Sequence, residues 1–141
     1  MEIATFTAEH IAQHQLLSAI QLWHSADYLS ALTLAGAADE ILGKRLRKLG
    51  LESSFDQLKS LVVTLARSAG ETDPNIDKLV GELLNDTRNA LKHYAGDEAI
   101  EIDIRDDCTE MLERAISNYH QLTGAMLDEA ISFWAEAHCP K

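Results

Sequence analysis

Apolar residues return at three- and four-residue steps along almost the whole of this chain, and only two prolines interrupt it. Nothing else in the sequence restricts the fold so much. A period near 3.6 selects helices, and the scarcity of breakers lets them run long. A first helix is expected from the N-cap Thr7 to His24, with Ile11, Leu16, Ile20 and Trp23 on its stripe. A second runs from Asp27 to Leu49, carrying Leu34, Ala35, Ala38, Ile41, Leu42, Leu46 and Leu49. Ser53 or Ser54 caps a third, ending near Ser68. Asp73-Pro74 opens a fourth, with a capping carboxylate before proline at the first helical position, and it ends at Tyr94 before Gly96. Asp103 or Asp106 caps a fifth that runs to Leu122, with Met111, Leu112, Ala115, Ile116 and Tyr119 inward. After Gly124 a last helix holds Met126, Leu127, Ala130, Ile131 and Trp134. The expectation is an all-α, up-and-down bundle of about five to six helices, one domain over residues 1–141. Residues 97–104 alternate polar and apolar, a pattern for a short extended arm, but a lone strand has nothing to pair with.

Composition bounds the function. Hydrophobic residues are 46% of the 141, enough for a core without staples. No apolar run approaches the roughly 18 residues of a membrane span, and the first residues lack a signal-peptide pattern. A cytoplasmic chain without membrane contact is expected. Cys108 and Cys139 form no disulfide framework; Cys108 reads as a core or boundary residue and Cys139 as part of the tail. The net charge of −11 argues against non-specific coating of nucleic acid, which needs clustered cations, but leaves room for a small local site. Against that acidic background, Lys44-Arg45-Leu46-Arg47-Lys48 carries four positive charges. They either complement a helix C-terminus that stops at Gly50 or face a phosphate. Gly36, in the small-residue stretch Leu34–Ala38, marks a place where another backbone packs close to the second helix, at a helix-propensity cost of about 1 kcal/mol.

One string carries chemistry: Arg88-Asn89-Ala90-Leu91-Lys92-His93. On the fourth helix, taken at about 100° per residue, Ile76, Leu79, Val80, Leu83, Ala90, Leu91 and Tyr94 form the core face. Asn85, Arg88, Asn89, Lys92 and His93 take the polar arc. Asn89 and His93 are one turn apart and adjacent. Arg88 stands roughly 140° from His93, so the two meet if the arginine reaches round, the helix end loosens, or a second subunit supplies the missing group. The arc is either a solvated helix end answering the dipole or a kit for holding and cleaving a phosphodiester.

That string resembles the Arg-x(4–6)-His signature of the HEPN superfamily, in which asparagine often follows the arginine. The phrase Ala31–Gly43 is similar to the small-residue helix of bacterial HEPN-like proteins, and the likeness extends over residues 15–123. The resemblance implies a homodimer, two motifs at one composite cleft, an RNA substrate, and neither metal nor cofactor. It gives His93 general acid–base work at the ribose 2′-hydroxyl, Arg88 the phosphate and its developing charge, and Asn89 an orienting hydrogen bond. Some toxin members carry tyrosine two positions after the histidine; here Tyr94 follows at once. Glu40, mid-helix in a small apolar stretch, either pairs with Arg88, orients His93, or is an exposed helix residue. The alternative from a different class is a non-catalytic helical interaction or regulatory module, such as a toxin–antitoxin or defence partner; the acidic composition suits a protein partner. His10 and His14 have a metal-compatible i, i+4 spacing, but no third ligand type accompanies them. No glycine-rich phosphate loop, nucleophile elbow or CxxC is present.

Overall fold

The computed structural model describes residues 1–92, 94, 96 and 98–139, with Thr87 and Lys92 described in backbone only. These residues form seven helices and no strand: α1 (Ala8–His24), α2 (Tyr28–Lys48), α3 (Ser54–Ser68), α4 (Ile76–Leu84), α5 (Asp86–Lys92), α6 (Ile104–Thr123) and α7 (Asp128–His138). The all-α expectation holds. No helix among the described residues is long and apolar enough to cross a membrane.

Caps set the boundaries. The Thr7 hydroxyl accepts the His10 N–H at 3.1 Å, and Asp27 accepts from Ser30 at 3.2 Å. Ser53 and Asp56 form a reciprocal capping box at the start of α3, satisfying two of the orphan donors there. At the end of α2 the chain reverses into the left-handed region at Gly50, φ 75°. Leu51 N–H then donates to the Leu46 carbonyl at 2.9 Å, and Gly50 N–H to that of Arg47 at 3.0 Å. This is the double closure that favours glycine after a helix.

The core lies between α1, α2 and α6. Ala12, Ala19, Ala31, Ala35, Ala38 and Ala115 are all fully buried within it, and such small side chains let helix backbones approach closely. Leu16, Ile20, Leu32, Leu42 and Leu112 fill the volume between. Trp23 closes one end. Its indole N–H donates to the Thr109 hydroxyl at 3.0 Å, and Phe133 of α7 meets it edge-on at 4.9 Å.

Two expectations are corrected. The segment expected as one helix from Asp73 to Tyr94 is two, broken at Asn85, which brings the count to seven. Asp73-Pro74 forms the turn before α4 rather than its first residues: the Asp73 carboxylate accepts the Asn75 N–H at 2.8 Å, and the helix starts at Ile76. The inward face of α7 is Ala130 and Phe133, while Met126, Ile131 and Trp134 are about half exposed. The partner available to that helix is the Trp23 ring, and Phe133 is the residue in phase with it.

The outer helices are the other departure. The apolar stripe of α3 buries no side chain, and α4 buries only Val80. Residues 98–103 lie outside regular structure. Asp103, rather than Asp106, caps α6, accepting the Asp106 N–H at 3.3 Å.

Candidate functional site around Arg88

The stripe of α2 that faces the core reads Leu32, Ala35, Gly36, Asp39, Leu42, Gly43, Leu46, and all seven are buried. Asp39 is therefore held inside, 4% exposed, with one charge that must be met there. α6 meets it with two residues one turn apart. Arg114 donates from Nη2 to Oδ2 at 2.9 Å, and Asn118 donates from Nδ2 to Oδ1 at 3.0 Å. Arg88 of α5 adds a second guanidinium, Nη1 at 3.7 Å from Oδ2. One carboxylate thus faces two arginines. Burial pushes the Asp39 carboxyl above the ordinary carboxylate range, against the pull of Arg114 and Arg88. Burial likewise lowers Arg114, against the pull of Asp39.

The same groups organise the surrounding elements. Arg114 also reaches the Asn85 Oδ1 at 3.2 Å and the Leu84 carbonyl at 3.4 Å, so it serves the acceptors freed where α4 ends. Its guanidinium stacks over Phe55 of α3, 5.0 Å from the ring centre. Asn118 turns its other end to α3, where Oδ1 accepts the Ser54 N–H at 2.8 Å. Asp39, Arg114 and Asn118 therefore tie α2, α3, α6 and the α4–α5 junction together.

Arg88 is fixed along its length. A Cβ placed on Gly36 would stand 2.6 Å from Arg88 Cδ and 2.8 Å from Cγ. The small residue on α2 makes room for an arginine stem, where the sequence suggested a neighbouring backbone. The side chain is 15% exposed, so it does not sit on a solvated arc. The break at Asn85 is the reason, because a helical wheel drawn through it assigns α5 the phase of α4. The Nε atoms of Arg88 and Arg114 are buried with no acceptor among the described residues.

The other expected site residues fall as follows. Asn89 is exposed on α5. His93 lies outside the described residues. Glu40 is half-buried and accepts from Lys44 at 3.3 Å; the carboxylate that meets Arg88 at 3.7 Å is its neighbour Asp39. His10 and His14 are both exposed on α1. In the basic segment, Arg47 makes a forked pair with Asp56, 2.9 and 3.0 Å, so this part of it joins α2 to the α3 cap. Beside Asp39 a hollow of about 220 Å³ is lined by Gly43, Arg47, Asn85, Arg88 and Arg114 among others.

Asp39, Arg114 and Asn118 were not singled out from sequence, though a signal existed. Asp39 keeps exact step with Leu32, Ala35, Leu42 and Leu46, whereas Glu40 is one position out of phase. A charged residue in the core stripe calls for a partner, and Arg114 and Asn118 are correspondingly placed on the inward side of α6. Comparison with models of protein families, with curated proteins and with solved structures returned no match.

Proposed function

We propose that this chain is a non-catalytic helical interaction module of HEPN-like build, in which the signature arginine serves the fold. One observation carries this. Arg88 lies along Gly36 with its guanidinium toward buried Asp39, 15% exposed. An arginine that stabilises a phosphoryl transition state must aim its N–H groups at the place where charge develops. This one is turned to a carboxylate of its own chain. The outer face of the molecule supports the same role, because α3 and α4 keep their apolar stripes open to a partner.

A second role, metal-independent RNA cleavage by Arg88, Asn89 and His93 across a homodimer, has its own support. Two guanidiniums share one carboxylate beside a hollow. A guanidinium beside a hollow suits a phosphate, and Asn89, the next residue of α5, is exposed. One experiment separates the two. Purified protein is incubated with mixed RNA in EDTA beside a His93→Ala control, with termini analysed. The module predicts the same blank from both proteins. Cleavage that leaves 2′,3′-cyclic phosphate and disappears in His93→Ala would overturn it in favour of the ribonuclease.

A further inference from the structure

The apolar residues of α3 that face away from the core do not face open water alone. Leu58, Leu61 and Leu83 form one side of a groove of about 740 Å³ that runs between α3, α4 and α6. Met111 lines its α6 side together with Asp107, Glu110, Glu113 and Arg114, and Arg88 of α5 also borders it; both guanidiniums are turned to Asp39. Leu58 is 37%, Leu61 56% and Leu83 72% exposed. Leucines left this open, contiguous and rimmed by charge mark a contact surface rather than scattered exposure.

The rim says what fits. Glu110 is pushed above the ordinary carboxylate range by partial burial and by the neighbouring charges of Asp107, Asp106 and Glu113, against the pull of Arg114; Glu113 also meets His138 of α7. Cations laid along that wall relieve the repulsion. A second copy of the chain brings another net −11 and a second acidic wall. The groove is walled by helices, and no sheet edge exists among the described residues, so an extended strand finds no ladder to join. α3 has 15 residues, and a helix of about that length, roughly 22 Å, matches it.

We infer that the groove between α3, α4 and α6 docks a cationic amphipathic helix of another protein, its apolar face on Leu58, Leu61 and Leu83 and its lysines or arginines along the acidic wall of α6. This rests on the interaction role proposed above and names its surface and the chemistry of the partner.

The test uses the whole protein and a labelled peptide of about 18 residues built from leucine and lysine as an amphipathic helix, followed by fluorescence anisotropy. Two peptides serve as comparison: a leucine–glutamate version with the same apolar positions, and a leucine–lysine scramble of equal charge with no apolar face. The expected result is binding of the first at least about tenfold tighter than either other, falling with salt. Leu61→Asp and Leu83→Asp each weaken it by about tenfold or more, and so does the Glu110→Lys, Glu113→Lys double variant. Both leucines are exposed, and unchanged circular dichroism checks that the variants fold. Equal binding of the scramble, or leucine variants that bind like wild type, would overturn the assignment. So would sedimentation as a dimer that Leu61→Asp converts to monomer, which gives the groove to a second copy. A failed peptide with a blank RNA assay removes the groove assignment alone, whereas His93-dependent cleavage removes the interaction role beneath it.

Discussion

Replacing Gly36 by alanine sets two effects of known size against each other. Mid-helix, alanine is favoured over glycine by about 1 kcal/mol, so on α2 alone the change stabilises. The new methyl, however, stands 2.6 Å from Arg88 Cδ and 2.8 Å from Cγ, about 1 Å inside a comfortable carbon–carbon contact of roughly 3.5–4 Å. The atoms it meets are the middle of a stem whose far end is held near Asp39 at 3.7 Å. Overpacking of this kind costs about 1–3 kcal/mol, and moving Arg88 loosens its ion pair as well. The net expectation is a loss of about 1 kcal/mol. With Arg88→Ala as background the stem is gone, the clash with it, and Gly36→Ala should then gain about 1 kcal/mol. Urea unfolding followed by the helical circular-dichroism band measures all four corners of the cycle, with the slope checked for constancy. The expected coupling is about 2 kcal/mol. Stabilisation of the wild type by the full helix-propensity gain, or additivity within about 0.5 kcal/mol, would refute the packing of Arg88 on Gly36.

Asn118→Asp keeps the acceptor for Ser54 but sets a second carboxylate against Asp39, where the amide now donates at 3.0 Å. A loss of about 3 kcal/mol is expected at neutral pH. Like charge and burial both raise these carboxyl pKa values, so the penalty should be absent while they are protonated and grow as pH rises; thermal melts from pH 4 to 7 against wild type, roughly the carboxylate range and above, check it. Asp56 is held below its ordinary value by the hydrogen bond from Arg47. Its stabilising effect is thus present above the unfolded carboxylate pKa, near 4, and lost as pH falls through the lower folded one. Arg47→Ala should flatten that part of the acid limb, by under about 1 kcal/mol because the pair is partly solvated. Burial pushes the Cys108 thiol up to about 12 while Cys139 is exposed. A thiol reagent at roughly neutral pH should therefore titrate one cysteine in the native protein and two in denaturant.

The positions of α1, α2 and α6 were legible because each carries both a cap and a stripe that meets its counterpart in the core. Thr7, Asp27 and Asp103 start the helices where their side chains can accept a backbone donor, a rule that works within four residues of chain. The break at Asn85 was not legible. Residues 76–94 hold no proline, and Arg114, which serves the acceptors freed there, lies 29 residues from Asn85. The same distance hid the site. Arg88 was found as a motif residue, but its direction depends on that break and on Gly36, both of which act through tertiary packing. The stripe of α4 was legible as amphipathic, but its apolar face was assigned to the core, where it buries only Val80. Periodicity does not say whether an apolar face meets the core of its own chain or a groove left open.

The anchorage of α3 has a consequence for motion. Its first turn is pinned on every side: Ser53 is fully buried, Asn118 holds the Ser54 amide, and Arg47 clasps Asp56. Past that turn no side chain of the helix is buried. α3 is therefore anchored most firmly at its N-terminus, with Leu61 and Leu65 beyond the anchored turn. Amide protons near the anchor should exchange only with the opening of the whole core, and those toward Ser68 through small local excursions. The width of the groove thus follows the angle at that anchor, where Asn118 and the Arg114–Phe55 stack link α3 to Asp39.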